Sequence, residues 1–270
     1  QGINGKGETI KSGGTVVKNV TGYDLCKLLS GSFGTLTVLT ELSVKVLPKP
    51  ETNKTLIINN PYLKKALEYF DITLSSSIDP SGAVFYPEYY RENFTFNDLT
   101  QEGAIIGVRV EGPPNSVDHR IEKLCNELDI LNNEFSILNQ EQSNIFWEKT
   151  RQLQVFTSLK GSLLRAVVPV SETFEVIQKL KNYEINYFLD WGGSLIWLQI
   201  EEINTKILKE IKNIIQIAKG YLTVIKIEED MKATIDVFTV TPIKYKISEK
   251  IKKSFDPKRI LNPGKMYSGI

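Results

Sequence analysis

The clearest apolar stripe in the chain lies between residues 203 and 218. Ile203, Ile207, Ile211, Ile214, Ile215 and Ala218 recur at helical spacing, with Lys206, Lys209, Glu210 and Lys212 between them, which predicts an amphipathic helix. A second pattern has period two. From Leu36 to Val46 the even positions are Leu, Val, Thr, Leu, Val and Val, and the odd positions from Thr37 are Thr, Leu, Glu, Ser and Lys. That alternation predicts one half-buried strand over 36–46. Pro48-Lys49-Pro50 ends it and marks a boundary, because neither proline can donate to a strand ladder. Ahead of it we expect a hairpin over 8–18 with its turn at Gly13-Gly14, and a short helix over 23–30 capped by Gly31.

Beyond the boundary the patterning predicts strand at 54–59, helix at 61–72, strands at 82–86 and 104–110, helix at 115–131 and a weak strand at 134–138. After a linking helix at 139–152 the same order returns: strand 162–168, helix 171–182, strands 185–190 and 194–200, helix 203–218 and strand 221–227. Each half is a β-α-β-β-α-β unit, the ferredoxin-like order. Two such units can join edge to edge or stack sheet on sheet, and either gives an α+β domain. The duplication rests on element order, since the residues show no repeat. A last helix is predicted over 242–254. The segment from Phe255 to Tyr267 carries Pro257, Pro263 and Gly264, which exclude regular structure, yet Ile260, Leu261 and Met266 give it apolar side chains to bury.

Composition narrows the classes. The 270 residues, 41% hydrophobic and 24% charged, suffice for one large or two ordinary globular domains. Lys+Arg 33 against Asp+Glu 32 leaves a net charge of +1, which gives nucleic-acid binding no support. Cys26 and Cys125 fall inside predicted helices, so no disulfide framework is expected and a reducing cytoplasm is. No apolar run is long enough for a transmembrane helix. The opening Gln1-Gly2-Ile3-Asn4-Gly5-Lys6-Gly7, glycine-punctuated and without Met, reads as the middle of a domain, so we expect the C-terminal part of a longer protein.

Candidate chemistry starts at Gly31-Ser32-Phe33-Gly34-Thr35, between the short helix and the alternating strand. A loop of small residues lets backbone N–H groups approach an anion and cradle a phosphate. It also suits a helix cap followed by a tight turn.

Three segments together resemble the FAD-linked oxidases of the vanillyl-alcohol oxidase type, with the PCMH flavin-binding fold, and among them glycolate oxidase (glycolate dehydrogenase) FAD-binding subunits. They are Lys18-Asn19-Val20-Thr21-Gly22-Tyr23-Asp24-Leu25 with its Gly31–Leu36 loop, the double ferredoxin-like region with Asp190-Trp191-Gly192-Gly193, and the tail from Asp256-Pro257 to Asn262-Pro263-Gly264-Lys265-Met266. The resemblance implies three parts. Residues 1–50 would be the second lobe of an FAD-binding domain whose first lobe precedes Gln1. Residues 51–240 would be an α+β cap domain, and 241–270 a C-terminal helix and a tail returning to the flavin. It further implies that Gly31, Ser32, Gly34 and Thr35 lie against the FAD pyrophosphate and ribityl chain. Thr21 and Gly22 would run close to the flavin, the backbone at Val38 would meet the adenine end, and Asn262 would return to the isoalloxazine.

The implied activity is electron transfer from glycolate or another 2-hydroxy acid to an acceptor, in a complex with a catalytic flavoprotein subunit and an iron–sulfur subunit. Such a complex would be cytoplasmic, or peripheral at the inner face of the membrane through its partners. The catalytic subunits of this group carry a His-x-Gly-Asp-Gly-Asn type motif for metal and substrate, which this sequence lacks. Its single histidine, His119, reads as a solvated surface residue. A second reading therefore stays open, in which the subunit keeps the flavoprotein fold and serves assembly without catalysis of its own.

Arg165 interrupts the apolar strand Leu163-Leu164-Arg165-Ala166-Val167-Val168. A charge there either grips a substrate carboxylate over the flavin or forms a structural ion pair, with Asp190 or a nearby Glu. Arg151 is a weaker candidate of the same kind. Asp190-Trp191-Gly192-Gly193 reads as a hairpin turn that needs positive φ, or, by the resemblance, as a contact with partner or flavin. The aromatic cluster Phe85, Tyr86, Tyr89, Tyr90, Phe94 and Phe96 suits an interface or loop packing. Lys244, Lys246, Lys250, Lys252 and Lys253 read as the wet face of the last helix.

Overall fold

In the computed structural model, residues 1–14, 24–94, 96, 103–130, 134–232 and 234–267 are described. The chain divides into two compact units. Gln1–Pro48 with Glu228–Ile270 makes unit 1, and Lys49–Ile227 makes unit 2.

Unit 2 realises the duplicated order. Its first half contains β4 (Thr52–Asn59), α2 (Leu63–Ser75), β5 (Gly82–Tyr86), β6 (Ile105–Gly112), α3 (Pro114–Glu127) and β7 (Phe135–Leu138). The linking helix α4 (Gln140–Arg151) leads to β8 (Ser162–Val167), α5 (Val170–Leu180), β9 (Ile185–Asp190), β10 (Leu195–Ile200), α6 (Thr205–Ile217) and β11 (Tyr221–Lys226). All eight strands form one antiparallel sheet in the order β11-β8-β10-β9-β5-β6-β4-β7. Each half thus has the ferredoxin-like arrangement, with its first and third strands central. Of the two ways to combine the halves, the chain uses edge-to-edge joining, through Phe85 opposite Leu189.

One face of this sheet is largely apolar. Leu56, Ile58, Ile106, Val108, Ala83, Leu164, Ala166, Ile196, Leu198 and Ile200 are buried, as are Ala66, Phe70, Val117, Ile121, Val176, Ile177, Ile211 and Ile215 from the helices. In α6 the stripe is buried at Leu208, Ile211 and Ile215, while Ile207 and Ile214 are half-buried.

The other face of the first half is covered by α4. Asn139 caps this helix through its side chain, which accepts from Gln142 N, and the Gln142 side chain returns the bond to Asn139 N. Two strand positions open room for it. A Cβ at Gly107 would fall 2.8 Å from the Phe146 ring, and one at Gly82 would fall 2.6 Å from Trp147. Phe146 joins Tyr86, Tyr90, Phe94, Phe156 and Phe188 in an aromatic core. The cluster expected for an interface or for loop packing is therefore largely interior: Phe85, Tyr86, Tyr90 and Phe94 are buried, while Tyr89 is half exposed.

Unit 1 holds β1 (Gly2–Asn4), β2 (Thr9–Ile10), α1 (Leu25–Leu29), β3 (Thr37–Leu39), α7 (Glu229–Lys232) and α8 (Pro242–Phe255), with the strands ordered β2-β1-β3. One expectation falls partly outside the described residues, and one needs correcting. The hairpin partner of Thr9-Ile10 is Gly2-Ile3, with the turn held by Asn4 Oδ1, which accepts from Lys6 N and Glu8 N at 3.0 Å each. Residues 15–17, the expected partner, lie outside the described residues. The strand expected over 36–46 is only Thr37–Leu39 long, matching the three residues that β1 offers it. Beyond Leu39 the pairing reaches only Thr40 and Glu41, which bond to Gln1, and Leu42, Val44 and Val46 are 69%, 76% and 79% exposed.

Candidate functional site

The loop after α1 is built by backbone conformations that side chains resist. Gly31, Phe33 and Gly34 have φ of 79°, 54° and 70°. Asp24 caps α1 by accepting from Lys27 N, and Ser30 N and Ser32 N return to Cys26 O and Leu29 O. The N–H groups of Phe33 and Gly34 donate to nothing among the described residues. The loop therefore carries two unbonded amides, the kind of group an anion cradle requires, beside the half-exposed Phe33 ring. Thr35 differs from the rest. Buried, it spends its hydroxyl on Ser32 O at 2.7 Å, with Met266 Sδ at 3.7 Å. Ser32 is buried beside it, and Val38 is exposed on β3. Thr21 and Gly22 lie outside the described residues.

The tail comes back to this loop. Asn262, itself at φ 41°, donates from Nδ2 to Phe33 O at 2.8 Å. A Cβ at Gly34 would fall 2.8 Å from the same nitrogen, so the glycine leaves the space the amide occupies. The carboxamide oxygen of Asn262 accepts no bond among the described residues, and the residue is exposed. Phe33 also meets Phe238 edge-on at 5.3 Å, and Phe238 contacts Tyr267. A small cavity of about 130 Å³ lies behind the loop, walled by Leu28, Leu36, Ile251, Met266 and Tyr267.

Beneath the tail lies a charge pair that the lysine pattern conceals. Lys252 is 1% exposed, contrary to the wet face expected for it, and Asp256 is 0% exposed. The Lys252 ammonium donates to Thr35 O at 2.7 Å, Asp256 Oδ2 at 2.8 Å and Leu261 O at 2.7 Å. Asp256 in turn accepts from Leu261 N at 2.8 Å and Ile260 N at 3.2 Å. Burial pushes the Asp256 carboxyl up, but Lys252 and these two N–H groups outweigh it and hold it below the usual carboxylate range. The signal available in the sequence was the i, i+4 spacing of Lys252 and Asp256 across the helix end.

In unit 2, Arg165 stands on the sheet face not covered by helices α5 and α6, opposite Trp197 in the register. Its guanidinium carbon lies 4.8 Å from the centre of the Trp191 ring and 5.9 Å from that of Trp197. The ion pair weighed as its structural role is not formed: Arg165 pairs with no carboxylate among the described residues. Two indoles hold the cation instead. Trp197 is backed by Phe188, stacked at 6.4 Å, and Phe188 by Tyr86 at 4.8 Å, so the arginine rests on the aromatic core. Trp191 belongs to the turn Asp190–Gly193, where Trp191, Gly192 and Gly193 take φ of 51°, 61° and 92°. Asp190 Oδ1 accepts from Trp191 N at 2.7 Å. Burial raises the Asp190 carboxyl, opposed by that bond and by Arg165. A cavity of about 410 Å³ beside this turn is walled by Leu74, Gly82, Trp147, Thr150, Asp190 and Trp191. Arg151 also borders it, with its guanidinium paired to Glu148. His119 is exposed on α3, and both cysteines are free. Among the described residues no cluster suits a metal ion, and no helix is long and apolar enough to cross a membrane.

In fold the chain is similar to p-cresol methylhydroxylase and to alkyldihydroxyacetonephosphate synthase, the latter with a TM-score of 0.58 at 16% identity over 93% of this chain and 52% of that one. Against p-cresol methylhydroxylase the TM-score is 0.56 at 15% identity, over 83% of this chain and 54% of that one. In sequence the chain is similar to glycolate oxidase subunit GlcE of Escherichia coli (strain K12), 28% identical over 269 residues, 99% of this chain and 64% of the relative. It is also similar to glycolate oxidase subunit GlcD of Bacillus subtilis (strain 168), 25% identical over 97% of this chain and 61% of the relative. The chain thus spans less than two thirds of the length of these relatives. No protein-family model matches it.

Proposed function

We propose that this chain is part of an FAD-binding subunit of a complex that oxidises glycolate or a related 2-hydroxy acid. The observation that carries the reading is the contact of Asn262 with Phe33 O above Gly34. It joins the two most specific segments of the sequence into one surface of unbonded amides and small residues. That surface fits a dinucleotide. Phe33 and Gly34 offer N–H groups to a pyrophosphate, Gly31 and Ser32 keep bulk away from it, and the Asn262 oxygen is left to accept a bond from the ring. Thr35 supports the loop from below through its bond to Ser32 O. Val38 would flank the adenine end, with Thr21 and Gly22 near the ring. Bound FAD would supply two-electron acceptance from the substrate, the chemistry no side chain here provides.

In the same reading Arg165 holds the carboxylate of the 2-hydroxy acid. Its guanidinium is oriented by Trp191 and Trp197, and its N–H groups are not consumed by an internal carboxylate. The partners are a catalytic flavoprotein subunit and an iron–sulfur subunit, and the complex works in the cytoplasm, peripheral to the membrane through those partners.

The test is flavin absorbance carried by the full-length protein, purified after co-expression with its partners. Gly34→Trp would fill the position of the Asn262 amide and should abolish that absorbance. Flavin retained in the variant, or absent from the parent, would leave assembly as the role of the subunit.

A further inference from the structure

We propose that Lys252 and Asp256 are positioning residues, which fix Asn262 against the 31–35 loop and so set how tightly this surface holds a dinucleotide. The proposal rests on the FAD reading above. A lysine near a phosphate loop invites a different role, as the phosphate's counter-charge. The geometry assigns otherwise. An ammonium has three donors, and all are spent, on Thr35 O, Asp256 Oδ2 and Leu261 O. No donor is left for a phosphate.

The three acceptors sit on both sides of the Asn262 contact. Thr35 follows Gly34 in the loop, and Leu261 precedes Asn262 in the tail. One ammonium therefore ties together carbonyls from two segments distant in sequence, next to the residues that must meet. Asp256 completes the tie by collecting the N–H groups of Ile260 and Leu261, which turns the tail back towards the loop. The N-terminal turn seals it: Gly5 N donates to Phe255 O at 2.9 Å, and a Cβ on Gly5 would lie 2.1 Å from Asp256 Oδ1. Packing alone does not call for charge here. Apolar side chains of the same volume often serve stability as well as a buried ion pair. What the pair adds is direction, since every bond it makes beyond its own contact fixes a named backbone group.

The experiment is a double-mutant cycle on FAD affinity in the full-length protein, using Asp256→Asn, Asn262→Ala and both together. Asp256→Asn alone should weaken FAD about tenfold or more and alter the visible flavin band, and the double variant should bind no more weakly than Asn262→Ala. Additive losses, or unchanged affinity in Asp256→Asn, would overturn the proposal. Thr241→Ala removes the cap at the far end of the same helix. It controls for lost helix stability and should leave the flavin band unchanged.

Hydrogen exchange on the unsubstituted protein gives an arm that needs no variant. Added FAD should slow exchange at Ile260 and Leu261 together with the loop, and protection confined to the loop would overturn the coupling. A parent protein without flavin sinks the FAD reading alone. Exchange in Asp256→Asn then decides the tie, which requires Thr35 and Leu261 to lose protection together and fails if Thr35 is unchanged.

Discussion

The two halves of the large sheet have one strand order and differ in what occupies one face. Counting from the central Phe85–Leu189 pair, the register matches Val84, Gly107 and Ile57 in the first half with Phe188, Trp197 and Arg165 in the second. Where the first half has a glycine that admits Phe146, the second has an indole. Where the first has an isoleucine inside the core, the second has a half-buried arginine held by two tryptophans. Duplication supplies the scaffold, and departure from it supplies the candidate chemistry. One backbone position is filled from outside in the first half and by its own indole in the second, and its neighbour on the next strand changes from isoleucine to a charge.

The comparison breaks most sharply at Phe146. Phe146→Ala should cost unit 2 about 3–5 kcal/mol, the range for a truncated core aromatic, read by urea unfolding with far-UV circular dichroism. A loss below about 1 kcal/mol would mean that α4 is not what completes the first half. Gly107→Val should cost less, about 1–3 kcal/mol, because Phe146 must shift to admit the new side chain. The mirror substitution Trp197→Gly should instead free Arg165 without disturbing α4, seen as unchanged near-UV ellipticity from the aromatic core apart from the lost indole.

Arg165→Ala tests the second half in the assembled complex. Apparent glycolate affinity should fall about tenfold, roughly 1.4 kcal/mol. Stability should fall only by the lost indole contacts, about 0.5–1 kcal/mol. A normal affinity would dismiss the carboxylate clamp and leave Arg165 a structural cation.

The smallest effects are in titration, and they have opposite signs. Burial makes Asp190 take up its proton more readily in the folded chain than in the unfolded one. Its contribution to stability is therefore greatest in acid and declines as pH rises from about 3.9 through the raised folded value. Asp256 has its carboxyl lowered by Lys252 and the tail N–H groups despite burial, so its contribution holds at neutral pH and is lost as pH falls below about 3.9. Carboxyl carbon NMR resolves both. Arg165→Ala should move Asp190 further up and leave Asp256 unmoved, and an unchanged Asp190 would break the electrostatic link.

Much of this was legible beforehand. The strands and helices of both halves fall within a few residues of their expected places, because each buries a periodic apolar face that sequence displays directly. The failures share a physical cause. Leu42, Val44 and Val46 alternate as a strand would, but a strand also needs a neighbour to accept its hydrogen bonds, and β1 is only three residues long. Lys252 looks like its solvent-facing neighbours because a helical wheel cannot display the carbonyls of Thr35 and Leu261. Arg165 stood out as a charge in an apolar strand. Its aromatic clamp did not, since Trp191 reaches it from a turn. Asn262 and the glycine loop were joined by resemblance to known oxidases, and the contact between Asn262 and Phe33 gives that pairing a geometry.

The stretch from Leu42 to Leu47 has a consequence for the behaviour of the chain in a tube. It sets four large aliphatic side chains in water along six residues, relieved by the single cation Lys45. Short runs of this kind, rich in β-branched residues and poor in charge, are where separate molecules adhere. Dilute, low-sulfate buffer and a charge at Val44 should do more for the colloidal behaviour of this chain than any repair of its core.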